Sequence, residues 1–105
     1  MEAWDPKEIS KQFLVQAQEA ERYSKEAKGK MSRTDTYQKL FDEHWAQFYV
    51  FDALHVSAYL ASKEQLIFFL NQMLQNKPTP FGACDGDYFE TQRLKCLNQL
   101  IAQYS

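Results

Sequence analysis

Apolar residues recur at steps of three and four in the first part of the chain, with charged residues between them. The apolar set comprises Ile9, Phe13, Ala17, Ala20, Tyr23 and Ala27. This spacing places them on one face of an α-helix. Asp5 and Pro6 are typical of a helix start, because Asp caps free N–H groups and Pro fits the first helical position. We therefore predict a first helix over about residues 6–28, with Gly29 in a left-handed conformation at its end.

The second segment is apolar on nearly every side. Its main stripe is predicted to contain Tyr37, Leu40, Phe41, Trp45, Phe48, Val56, Tyr59 and Leu60. At 100° per residue, Val50, Phe51 and Leu54 fall off this stripe. A helix of this kind is surrounded by neighbours or covered by a partner. The pattern predicts a central helix over about residues 35–61, capped by Asp35.

Two shorter helices are predicted in the remainder of the chain. Ser62 and Gln65 have the spacing of a capping box, which predicts a helix over about residues 63–76. Asp87 and Glu90 repeat that spacing and predict a helix over about 88–104. The stretch between them holds two of the three prolines and two of the three glycines, and is predicted to be a loop. With no β-alternating segment, the chain is predicted to be a single all-α domain, a mostly antiparallel four-helix bundle with an aromatic-rich second helix at its centre.

Charge is unevenly distributed along a chain of 105 residues whose net charge is -2. A basic segment is defined here by Arg22, Lys25, Lys28, Lys30, Arg33 and Lys39. These residues would attract phosphate or an acidic protein. The alternative interpretation is a solvated loop together with the basic bias that the helix dipole favours at a helix C-terminus.

Asp52 and His55 are the most suggestive candidates for chemistry, since a spacing of three places them on one helix face. Di-iron bundles use such an element, but they need a second one and further carboxylates. His44 lies eleven positions before His55, roughly 16 Å along the helix axis, so the two histidines are too far apart to share one ion. We therefore predict a structural polar pair inside the bundle. No catalytic residue, metal site or cofactor is predicted.

The remaining motifs also indicate a protein that is not an enzyme. Cys84 and Cys96 lack metal or disulfide spacing and are predicted to be reduced thiols. No phosphate-binding loop or nucleophile elbow occurs in the sequence. The first twenty residues contain no apolar core of a signal peptide, and no run of eighteen apolar residues is present. We expect a cytoplasmic protein that does not enter a membrane.

Aromatic residues make up 15% of the chain, more than four helices of this length need. The excess predicts an exposed apolar surface for a partner. Its predicted members are Val50, Phe51, Leu54, Phe68 and Phe81. The alternative is that the other helices cover the second helix on all sides.

Three functions remain open on the sequence. The first is a small helical interaction factor, such as an inhibitor, immunity, adaptor or regulatory protein, which binds another protein or forms a homodimer. The second is a nucleic-acid-binding regulator that uses the basic segment. The third is a helical metal-dependent enzyme that uses Asp52 and His55. The size and the glutamine content suggest a bacterial or phage-encoded factor.

Overall fold

Four helices account for most of the residues that the computed structural model describes, which are 3–30, 35–78 and 86–105. They are α1 (Pro6–Lys28), α2 (Asp35–Ala58), α3 (Lys63–Gln75) and α4 (Gly86–Tyr104). None of these three described ranges contains a β-strand. The prediction of an all-α four-helix bundle is confirmed.

Two helix starts follow directly from local sequence. The Asp5 carboxylate accepts a hydrogen bond from the Glu8 N–H at 3.2 Å, and Pro6 is the first helical residue. At the start of α3, the Ser62 hydroxyl accepts from the Gln65 N–H at 3.1 Å, and the Gln65 side chain accepts from the Ser62 N–H at 2.8 Å. Both predicted caps are confirmed, because each depends only on residues three positions apart.

The helix ends differ from the prediction in three places. Gly29 has φ -64° and ψ -15°, so the prediction that it adopts a left-handed conformation is wrong. Its N–H instead continues the helical pattern to the Lys25 carbonyl at 3.1 Å. The left-handed residue is Leu60, with φ 63°, because α2 ends at Ala58 and the chain turns directly into α3. The third difference concerns α4, which was predicted to begin at about residue 88. It begins at Gly86, so Asp87 lies in its first turn and does not precede it as a cap.

The helices α1 and α2 form a long antiparallel pair. Near the start of α1, the Ser10 hydroxyl donates to the His55 carbonyl of α2. Near the end of α1, the Tyr23 ring lies 5.3 Å from the His44 ring, centroid to centroid. Because the residue numbers rise along α1 as they fall along α2, the end of α1 lies beside the start of α2.

The other two helices pack against this pair mainly through α2. Tyr49 of α2 contacts Phe89 near the start of α4, at 6.2 Å between ring centroids. The Trp4 indole N–H donates to the carbonyl of Ala61, just after α2, at 2.7 Å, and its ring makes an edge contact with Tyr104 at the end of α4 at 6.0 Å. The helices α2 and α4 therefore run in the same direction.

The helix α3 runs the opposite way to α4. Its start follows Ala61, which lies beside Tyr104 at the end of α4, and the Met73 carbonyl near its end contacts Arg93 in the middle of α4.

Of the aromatic stripe predicted for α2, Phe41 is buried and the other members are half-buried or exposed, so the stripe is not the main buried face. The core positions of α2 recur at four-residue steps: Ala46, Val50, Leu54 and Ala58 are all almost completely buried. The alanines permit close approach of the neighbouring helices, and the larger Trp45 remains half-buried at the side. Around Val50 and Leu54, the core is completed by Phe13, Leu66, Leu70, Cys96, Leu97 and Leu100.

Candidate functional site

The predicted apolar surface is divided by the fold between core and solvent. Val50 and Leu54 are fully buried, so the prediction that they face a partner is wrong. Phe51 is half-buried and stacks on Phe13 at 6.0 Å between ring centroids. Phe68 is exposed, as its place opposite the core side of α3 requires. Phe81 lies outside the described residues.

Three of the four most exposed large apolar side chains among the described residues lie at the end of α2 and in the turn that follows. Val56 is 68% exposed, Tyr59 is 55% exposed and Leu60 is 64% exposed. We call these three residues the turn face. The sequence pattern had placed all three on the buried stripe. Val56 is exposed because the core face at Val50 and Leu54 points elsewhere, as 100° per residue requires. Tyr59 and Leu60 follow the last helical residue, Ala58, and lie in the turn.

The backbone of the turn face is held by a long-range contact. The Trp4 indole N–H donates to the carbonyl of Ala61, the residue that follows Leu60. Ala61 is itself buried, and its N–H bonds to the Ala58 carbonyl at 3.0 Å. Beside this contact lies a cleft of about 610 Å³ whose lining includes Trp4, Ile9, Lys63 and Tyr104. The turn that carries Leu60 is therefore held by two hydrogen bonds of Ala61, one to the Trp4 side chain and one to the Ala58 carbonyl.

Asp52 and His55 lie on the outside of the bundle. The Asp52 side chain is 56% exposed, and its carboxylate lies 3.6 Å from His55 Nε2, beyond hydrogen-bonding distance. The prediction of a polar pair inside the bundle is wrong, because the face of α2 that carries Asp52 also carries the exposed Val56. Among the described residues, no group of three or more His, Cys, Asp or Glu side chains could hold a metal ion.

A largely buried ion pair lies on α4 instead. Arg93 is only 1% exposed, and its guanidinium donates to both carboxylate oxygens of Glu90, at 3.1 and 2.6 Å. It also donates to the Met73 carbonyl, one of the last carbonyls of α3, which have no partner within that helix. The spacing of three between Glu90 and Arg93 indicates an ion pair in the sequence. Its burial under α3 has no sequence signal.

The thiol of Cys96 is part of the core. Burial raises its pKa to about 11, so it remains protonated near neutral pH and is a poor nucleophile. Cys84 lies outside the described residues.

The basic segment lies around the end of α1 and the start of α2. Arg22, Lys25, Lys28, Lys30 and Lys39 are exposed there. Arg33 lies outside the described residues.

A small cleft opens between α1 and α2 at this basic end, and aromatic rings line it. The cleft measures about 160 Å³, and its lining includes the rings of Tyr23, Tyr37 and His44 together with Lys30 and Glu26. We call it the ring cleft. The sequence pattern does not indicate this cluster, because Tyr23 and His44 are 21 positions apart and meet only when the helices pair.

Comparisons with protein-family models, with curated proteins and with solved structures find no match to this chain. Within the described residues, no helix has both the length and the apolar character needed to cross a membrane. The functional proposals therefore depend on the two surface features described above, the turn face and the ring cleft.

Proposed function

We propose that the protein is a small helical interaction factor that binds a partner protein through the turn face. The partner's side chains would cover Val56, Tyr59 and Leu60, and the exposed Phe68 of α3 would extend the contact. Such a role includes inhibitors, immunity factors, adaptors and other regulatory proteins. Interfaces of this kind have an apolar centre rich in aromatic residues and a polar rim, which here would include Asp52 and Lys63.

The observation that carries this proposal is the conformation of Leu60. A residue other than glycine in the left-handed region costs about 1–2 kcal/mol, and glycine or asparagine would avoid most of that cost. The leucine side chain recovers little of it by burial in this protein, since it is 64% exposed. A strained apolar residue that is directed to solvent supports a binding role.

The occupant proposed for the turn face is a separate protein. A second copy of this chain is the alternative, and the test below distinguishes the two.

The test replaces Leu60 by residues that tolerate its backbone. Leu60→Gly and Leu60→Asn should each stay within about 1 kcal/mol of the parent in stability, because relief of strain offsets lost packing and added chain entropy. Val15→Ala removes an exposed apolar side chain from α1 and is the matched control. Each variant is immobilised in folded form, exposed to extract of the source organism, and the retained proteins are quantified by mass spectrometry.

The expected result is one protein that the parent and Val15→Ala retain equally and that both Leu60 variants lose about five- to thirtyfold, the effect of removing a central interface residue. The proposal fails if no retained protein depends on Leu60. It also fails if sedimentation velocity shows a dimeric parent and monomeric Leu60 variants, since the partner is then a second copy.

A further inference from the structure

The ring cleft lies at the end of the α1–α2 pair where the basic segment is exposed, and two cations lie directly on its tyrosines. The Arg22 guanidinium carbon is 4.8 Å from the centroid of the Tyr23 ring. The Lys30 ammonium is 5.7 Å from the centroid of the Tyr37 ring. Both are cation–π distances, so each charge is held beside an aromatic face.

The volume of the cleft limits what it can hold. An apolar cavity of about 150 Å³ holds one benzene-sized ring, and this cleft measures about 160 Å³. Sites for drug-sized ligands and cofactors measure about 300–1,000 Å³. The cleft therefore has space for one planar ring system and not for a complete nucleotide cofactor.

The charges around the cleft separate its inside from its rim. Glu26 lines the cleft together with the rings, and its carboxylate disfavours a phosphate group inside. Arg22 and Lys30 offer cationic groups beside the two tyrosines, where phosphates of a bound strand would be attracted. Lys39 increases the positive charge on the flank of α2, whereas the charge of Lys25 is paired with Glu21 at 3.1 Å.

We infer that the ring cleft binds single-stranded nucleic acid, with one unstacked base among Tyr23, Tyr37 and His44 and the neighbouring phosphates on Arg22 and Lys30. Aromatic platforms combined with a cationic surface are the usual chemistry of such binding. A duplex hides the faces of its bases in the stack and cannot use the rings. An acidic peptide would use the cations and leave the rings without a role.

The experiment measures the affinity of the full chain for a fluorescent single-stranded oligonucleotide by anisotropy over a range of salt concentrations. Tyr37→Leu should weaken binding about 5- to 100-fold, the effect of losing one base–aromatic stack, and Tyr37→Phe should retain it. Tyr49→Leu, which removes an exposed tyrosine of α2 outside both the ring cleft and the turn face, should leave the affinity unchanged. Circular dichroism checks that each variant is folded.

A second pair of variants tests the phosphate contacts and leaves Tyr23, Tyr37 and His44 themselves unchanged. Arg22→Gln should reduce the slope of log affinity against log salt by about 0.7, the contribution of one phosphate contact to a single strand. Lys11→Gln changes an exposed lysine three turns earlier on α1 and should not alter the slope.

Three results would overturn the inference. One is an affinity for the single strand that is the same in Tyr37→Leu and in the parent. Another is binding of a duplex of equal length as tightly as the single strand. The third is binding of polyglutamate with the same affinity and the same dependence on Arg22, which would make the basic end a site for an acidic protein. If Tyr37→Leu fails to fold, the slope measured for Arg22→Gln decides.

Discussion

Replacing Arg93 by methionine should destabilise the bundle far more than a surface ion pair would. The guanidinium is almost completely buried, and it is paired with Glu90 and with the Met73 carbonyl. Removing one member of a buried pair costs about 3–5 kcal/mol, because the other charge remains without a partner. Glu90 retains some contact with water at 16% exposure, so we expect about 2–4 kcal/mol for Arg93→Met.

That loss is large relative to the total. A chain of this length has a free energy of unfolding of about 5–15 kcal/mol. Urea unfolding followed by far-UV circular dichroism measures the difference. The matched control is Lys25→Met, which breaks the exposed pair with Glu21 at 3.1 Å and should cost less than about 1 kcal/mol.

A double variant separates the lost charge pairing from lost packing. Arg93→Met combined with Glu90→Gln leaves no unpaired charge under α3, so about half of the loss should be recovered, and only the Met73 carbonyl remains without its donor. Hydrogen exchange should become faster in α3 first, since Arg93 connects that helix to α4. An Arg93→Met protein with the parent's urea midpoint, or a double variant no more stable than the single one, would refute the reasoning.

Three further predictions follow from burial. Leu54→Ala should cost about 2–5 kcal/mol, whereas Val56→Ala should stay within about 0.5 kcal/mol; equal urea midpoints would mean that the faces of α2 are assigned wrongly. The pKa of Cys96 is raised from 9.0 to about 11, so its thiol ionises first in the unfolded chain. The stability that this thiol contributes is therefore present below pH 9 and is lost as the pH rises from 9 to 11. Urea unfolding at each pH should show this loss in the parent and not in Cys96→Ala, and parallel plots of stability against pH for the two proteins would contradict it. Asp52→Asn should change stability by less than about 1 kcal/mol, because Asp52 is exposed and its carboxylate lies 3.6 Å from His55, beyond hydrogen-bonding distance. A larger loss of stability in thermal unfolding would contradict the position of Asp52 on the outside of the bundle.

The sequence was a sufficient guide where structure depends on neighbouring residues. The caps at Asp5 and Ser62 and the all-α class need only spacings of three and four, and those were predictable. The position of the left-handed residue was not predictable in this way. Glycine is common at helix ends, as at Gly29, but the tight connection between α2 and α3 places Leu60 in the left-handed conformation instead.

The direction of the buried face of α2 could not be read from periodicity. Nearly every side of this helix is apolar, so the stripe was assigned by the bulk of its aromatics. The positions of α1 and α4 decide the matter, and small residues such as Ala46 and Ala58 allow them to approach closely. Val50 and Leu54 lie on the same face of α2 as these alanines and are therefore buried with them.

Both surface features escaped the sequence argument for the same physical reason. Val56 of the turn face is exposed only because the opposite face of α2 is buried. The ring cleft needs Tyr23 from α1 and His44 from α2, which the antiparallel pairing brings together. Arg93 shows the same limit from inside the protein, since its acceptor on Met73 is 20 residues away along the chain.

The two tryptophans of this chain would report on different stages of folding. Trp45 packs against Phe41 and Phe48, which are within four residues of it, so these two contacts can form as soon as α2 does. Trp4 contacts Ala61 and Tyr104, 57 and 100 positions further along the chain. Contacts between distant positions pay the larger loop-closure entropy, so they form late in folding. In stopped-flow refolding, a protein whose only tryptophan is Trp45 should therefore change its fluorescence before one that retains only Trp4.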